Sequence, residues 1–185
     1  FQGEGSGLFA RTLSDTLPLL PLETEGRLND VLLYENFVER IFAYREWCTF
    51  ACAKPSLPLL THFHIAHKAT LMAHTEDGLR ILSQLLESTD GSSPETITAQ
   101  YGIEYMQALK HPPTRHTNTT ALQYLTDLLS ARLDPRNRKQ LTGQLNDYRL
   151  GKALLSAPLA LIRHHATECQ GEHVLRQSFL QQPSS

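Results

Sequence analysis

Nowhere in this 185-residue chain do apolar and polar residues alternate with a strand's period of two for long enough to form one. What recurs is helical spacing, cut into segments by prolines and capping residues, and that pattern confines the chain to an all-α fold. Asn29 or Asp30 is placed to cap a helix reaching about Thr49, with Leu32, Leu33, Phe37, Ile41, Phe42, Tyr44 and Trp47 as a broad apolar stripe; Pro55 and Pro58 end it. A second stretch from about Leu59 to Glu87 carries a break at Thr75, because a threonine followed by Glu76 and Asp77 has the form of a helix start. Ser92 and Glu95 have capping-box spacing with Pro94 in the first turn, opening a helix to about Lys110 that His111-Pro112-Pro113 stops. Further helices span about Thr117 to Leu133, Pro135 to Leu150 with Asp134 as cap and Gly151 as stop, Ala157 to about Cys169, and a short last segment to Leu180. The expectation is a single compact bundle of about six or seven helices, with neither an internal repeat nor a low-complexity tract. Phe1-Gln2-Gly3 has the look of a protease-site tag remnant, and Pro18 and Pro21 interrupt any period nearby. Residues 1–28 are therefore read as tag and interdomain connector and 29–185 as the helical domain.

Composition narrows the class further. With 41% hydrophobic and 19% charged residues and no apolar run near the roughly 18 residues of a membrane span, the chain reads as one soluble globular domain. Cys48, Cys52 and Cys169 cannot all pair within the chain and form no C-x-x-C ligand set, and no signal-peptide pattern opens it, which points to a reducing, cytoplasmic setting.

The net charge of -2 conceals an asymmetry: residues 1–109 balance to -7, residues 110–165 to +6 and the tail to -1. A basic third inside an acidic protein is a candidate surface for phosphate or an acidic partner, if folding brings its charges to one face; otherwise it is ordinary solvated helix surface.

Three groups within the chain could carry chemistry. Four of the nine histidines fall between 62 and 74. At about 100° per residue, His64, His67, Lys68, Leu71 and His74 share an arc of roughly 120°, with Ile65, Ala66, Ala69 and Met72 on the other side. The helix would then bury the second face and present a His/Lys stripe. Zinc, packed and satisfied imidazoles, and a polar ligand-facing surface all remain open, although no H-E-x-x-H pair is present and Lys68 would repel a cation. The second group, Lys110 to Asn118, is a rigid basic loop around Pro112-Pro113 that leads into a helix start, where free N–H groups and the positive dipole end suit an anion. The third comprises Arg136, Arg138, Lys139, Arg149, Lys152, Arg163, His164 and His165, with Arg149 and Lys152 flanking the Gly151 turn. Equally informative is what the chain lacks: a G-x-S-x-G elbow, a phosphate-cradling glycine loop, a dinucleotide fingerprint, and a close carboxylate pair in the basic half.

Five ordered motifs then add a resemblance. H-x-x-H-K-x-x-L-M-A-H at His64–His74, H-P-P-T-R-H-T-N at His111–Asn118, Y-R-L-G-K at Tyr148–Lys152, A-P-L-A-L-I-R-H-H at Ala157–His165 and the closing Q-S-F-L-Q-Q-P resemble the YbgA-like family over about residues 34–183. Upstream, G-L-F-A-R at Gly7–Arg11 and E-G-R-L-N-D-V-L-L-Y-E-N-F at Glu25–Phe37 are similar to the junction found where this domain follows a TudS-like iron-sulfur domain in RudS-type desulfidases, which remove sulfur from 4-thiouridine in tRNA.

The resemblance implies a division of labour. The upstream TudS-like domain, with its cysteine-bound iron-sulfur cluster, would carry the chemistry, and the YbgA-like domain would bind tRNA. This chain alone would hold no cofactor or metal, take no small-molecule substrate and be catalytically inert. His67, Lys68, His74, Arg115, His116, Asn118, Arg149, Lys152, Arg163 and His164 fall on the motifs and are the candidate nucleic-acid contacts. Leu154 stands where the family often has proline, and Tyr124 where histidine is common. The rival reading is a protein-interaction module that docks the desulfidase domain or another partner, its basic part merely solvated.

Overall fold

The computed structural model describes residues 12–13, 15–88 and 91–181. The expected tag remnant, the Gly7–Arg11 motif and the last two residues of the closing motif, Gln182 and Pro183, lie outside them. From Val31 onward there are eight α-helices, and no strand occurs among the described residues. They are α1 (Val31–Cys52), α2 (Leu57–His74), α3 (Glu76–Glu87), α4 (Pro94–Ala108), α5 (Arg115–Ser130), α6 (Pro135–Arg149), α7 (Ser156–Glu168) and α8 (Glu172–Leu175), with 3-10 turns at Arg27–Asn29 and Ser178–Leu180. The bundle is compact and all-α, with one or two helices more than expected.

Local chemistry sets most boundaries. Asp30 caps α1 by accepting from Leu32 and Leu33 N–H, and Asp134 caps α6 by accepting from Asn137 N–H. Thr75 splits the second stretch as expected: its extended backbone leaves α2, and its side chain accepts from Gly78 N–H to open α3. Three starts differ by a few residues. Pro58 sits in the first turn of α2 rather than ending α1. Ser93, not Ser92, caps α4. Thr114 opens α5 in a reciprocal capping box with Thr117, which moves Arg115 and His116 from the expected loop onto the first helical turn.

α2 is the axis of the bundle. Its Ala69 and Ala73 join a core of Leu122, Leu125, Leu129, Leu141, Ile162 and Phe179, while its Leu60, Phe63 and Leu71 join a second core of Trp47, Leu82, Ile97, Tyr101 and Tyr105. Being covered on both sides corrects the expectation that one face of α2 would present histidines to solvent: His64, His67 and His74 are buried, and Ile65 is exposed instead. α1 departs from expectation in the opposite sense. Of its apolar stripe only Trp47 is fully buried, while Leu32, Ile41 and Phe42 are exposed and Asn36 and Arg40 point inward. Asn36 Nδ2 donates to the Leu109 carbonyl (3.0 Å), and Arg40 donates to the Leu22 carbonyl (2.9 Å) and pairs with Glu23. The connector end thereby docks on α1. No helix among the described residues is long and apolar enough to cross a membrane.

Candidate nucleic-acid interface

Pro112 and Pro113 end the chain's run out of α4, Thr114 caps α5, and Arg115 and His116 stand exposed on its first turn. α6 ends close by. Gly151 adopts φ +78°, its N–H bonds the Tyr148 carbonyl (2.9 Å), and the Lys152 N–H bonds the Asp147 carbonyl (2.8 Å), the paired bonds of a glycine-terminated helix. Arg115 ties the two helix ends together. Its Nη1 donates to the Tyr148 carbonyl (2.6 Å) and, at 3.5 Å, to Ala153, and its guanidinium lies 4.8 Å over the Tyr148 ring. A cation at a helix C-terminus meets the negative end of the dipole, so this clamp is favourable in itself. It also leaves other guanidinium donors of Arg115 unspent, beside the turn on which exposed Arg149 and Lys152 stand.

The structure thus brings the first turn of α5, with Arg115 and His116, against the end of α6, whose turn carries the exposed Arg149, Lys152 and Asp147. A shallow groove of about 480 Å³ on α6, lined by Pro135, Arg138, Lys139, Thr142, Gly143 and Asn146, adds two further cations from the basic third. Tyr148 is the residue that sequence reasoning passed over; an aromatic opening a basic motif was the signal available.

The other candidates are placed differently. Lys68 is half-buried, its ammonium 5.1 Å over the Tyr124 ring, which serves as a seat for this lysine. Arg163 is exposed but donates to the Leu180 carbonyl, clamping the C-terminal turn. His164 is exposed beside Glu168. His67, His74 and Asn118 are inside and present no surface contact. Asn118 Nδ2 donates to Tyr148 Oη (3.3 Å), beneath the Arg115 clamp.

The buried imidazoles of α2 are partnered by residues far along the chain. The Tyr105 hydroxyl lies 3.0 Å from His67 Nδ1, while His67 Nε2 lies 3.2 Å from Glu46, and Phe63 stacks on the ring at 4.0 Å. That contact to His67 holds the Glu46 carboxyl below its ordinary range. His64 has Tyr101 Oη at 3.0 Å and Ser83 Oγ at 3.1 Å; burial, then the charges of Lys68 and His67, push its pKa down to about 4. His74 Nδ1 donates to the His111 carbonyl (2.7 Å), and its Nε2 lies 3.1 Å from Glu39. Of the readings open for this stripe, the packed and satisfied one holds. Among the described residues, the one group whose ligand atoms converge as a metal would need is His164, His165 and Glu168. Cys48, Cys52 and Cys169 are free and do not converge, so this chain's cysteines do not fit an iron-sulfur cluster.

By fold this is a compact all-α bundle that gathers part of its positive charge at the meeting of two helix ends. It belongs to the DUF1722 family, described as a protein of unknown function, whose profile matches residues 68–183. It is 25% identical over 127 residues to the uncharacterized protein YbgA of Escherichia coli K12, covering 68% of this chain and 75% of that one. No solved structure matches the chain significantly.

Proposed function

We propose that this domain binds tRNA and acts as the accessory domain of a cytoplasmic tRNA 4-thiouridine desulfidase, presenting thiolated tRNA to a TudS-like iron-sulfur domain upstream. This domain alone is then not an enzyme. The observation that carries this reading is the Arg115 contact that holds the start of α5, with His116, against the end of α6 that carries exposed Arg149 and Lys152. Cations on short, rigid turns suit a phosphate backbone, and with His67, His74 and Asn118 internal, backbone contact rather than base reading is the mode expected. Because Arg115 and Arg163 hold backbone carbonyls, Arg149 and Lys152 are the residues whose loss tests binding without disturbing the fold. Gel-shift titration of tRNA over a salt series should show binding at low salt that weakens as salt rises, and Arg149→Ala/Lys152→Ala should bind less tightly with a smaller salt slope. Absence of a shift at low salt, or equal binding by the double variant, would refute it.

A second reading, a protein-interaction module, is favoured by the uncovered side of α1. Val31 (69%), Leu32 (66%), Tyr34 (53%) and Phe42 (57%) are exposed there, and a shallow cleft of about 540 Å³ opens between Phe42, Arg45, Glu46, Thr49, Phe50 and Phe63. An apolar stretch of that kind on one helix marks a contact surface. It is compatible with tRNA binding on the basic corner.

A further inference from the structure

α7 packs Pro158, Leu159, Ile162, His165 and Ala166 inward and carries His164 and Glu168 on its outer side. Two imidazoles from adjacent positions converge on one carboxylate oxygen: His165 Nδ1 lies 3.3 Å from Glu168 Oε2, and His164 Nε2 lies 3.5 Å from the same atom. All three donor atoms fall within 4.8 Å of one another.

Hydrogen bonding accounts for only one of these contacts: His165 Nδ1 makes a long hydrogen bond to Glu168 Oε2, and His164 Nε2 stands farther off. An N–H···O bond, and still more a charge-assisted one, is about 2.7–3.2 Å, so one of these contacts is outside that range and the other exceeds it slightly. A tetrahedral cation accounts for them better. With metal–nitrogen and metal–oxygen bonds of about 2.0–2.2 Å, ligand atoms stand about 3.3–3.6 Å apart along the tetrahedron's edges. Residue spacing on the helix agrees, since positions i and i+4, and i+1 and i+4, lie on neighbouring rows. A second observation bears on His165. It is only 3% exposed, its Nε2 has no partner, and its Nδ1 has only the long contact to Glu168. A metal bond at Nδ1 would replace that long contact and fix the proton on Nε2, which stays without a partner on the far side of the ring. The nearest arginine in sequence, Arg163, is engaged at the Leu180 carbonyl.

The geometry points to a metal site at His164 Nε2, His165 Nδ1 and Glu168 Oε2, selective for zinc-class divalent transition metals. Two nitrogen ligands and one carboxylate suit Zn²⁺ and disfavour Ca²⁺ and Mg²⁺, which prefer all-oxygen shells. Two exposed ligands, His164 and Glu168, and the buried His165 leave a fourth position for water or a phosphate oxygen. The site stands independently of the tRNA reading.

The test is calorimetric titration of the chelator-stripped full chain with Zn²⁺, repeated with Co²⁺, whose visible absorption intensifies on four-coordinate binding. One equivalent should bind, with Mg²⁺ unable to compete. His164→Ala and Glu168→Gln, both on exposed side chains and checked for unchanged circular dichroism, should each weaken Zn²⁺ binding at least about tenfold. His173→Ala, an exposed histidine outside the group, should leave it unchanged. Failure to bind one equivalent saturably, or equal affinity in His164→Ala and Glu168→Gln, would overturn the assignment.

Discussion

Gly102 lies in α4 directly against the indole of Trp47, and replacing it with alanine puts two opposed effects in competition. Trp47 is 2% exposed and boxed by Phe50, Phe63, Tyr101 and Tyr105, with ring centroids 5.3–6.0 Å away. A Cβ on residue 102 would fall 2.6 Å from Trp47 Cε2 and 2.7 Å from Cζ2, and closer still to Nε1. Carbon atoms settle at about 3.5–4.0 Å, so ring or helix would have to retreat by about 1 Å. The stacked Tyr101 ring blocks an easy rotation of the indole. Overpacking of this kind costs about 1–3 kcal/mol, and a rigid indole places it toward the upper end. Alanine's helix propensity returns about 1 kcal/mol. The net is a loss of about 1–2 kcal/mol, or a fall in Tm of roughly 2–8 °C for a domain of this size. Gly143 on α6 supplies the opposite case: a Cβ there meets nothing within 4 Å, so Gly143→Ala should stabilise by about 0.5–1 kcal/mol. Urea denaturation followed by circular dichroism and by fluorescence of the sole tryptophan measures both. A Gly102→Ala protein as stable as the parent, alongside a stabilised Gly143→Ala, would refute the packing of α4 on Trp47.

Further outcomes follow from single contacts. His64 has a folded pKa of about 4 against the ordinary 6.5, so the unfolded chain takes up a proton the folded one refuses. Its contribution is complete above 6.5 and is lost as pH falls toward 4, with a slope of at most about 1.4 kcal/mol per pH unit. His64→Gln should be less stable at neutral pH yet lose less stability on acidification, which denaturant midpoints against pH would report; identical profiles would contradict it. Arg115→Ala removes the donor to the Tyr148 carbonyl and the contact with its ring and should cost about 1–2 kcal/mol, with Arg115→Lys recovering only part, as thermal melts would show. If tRNA is bound as proposed, the log–log salt slope of Arg149→Ala/Lys152→Ala should be shallower by about 2 than that of the parent.

What the amino-acid order determined alone is whatever depends on a few neighbouring residues. Asp30, Thr75 and Asp134 cap helices because a side-chain oxygen reaches an N–H two or three residues on, and Gly151 ends α6 because it accepts a positive φ; all were legible without the fold. The helical class and the positive charge of residues 110–165 were legible for the same reason. Which side of each helix faces inward was not, since burial depends on what the other helices cover. α2 carries apolar residues around its whole circumference, so the solvent face read from its His/Lys stripe was the wrong one; Tyr101, 37 residues past His64, and Tyr105, 38 past His67, turned the imidazoles inward. On α1 an apparent apolar stripe stays largely uncovered, while Asn36 and Arg40 are drawn in by carbonyls of Leu109 and Leu22. The basic corner likewise exists only because Arg115 meets Tyr148, 33 residues away. Capping and turn energies are short-range and can be read from sequence, whereas packing sums contacts between distant segments and is decided only when the helices assemble.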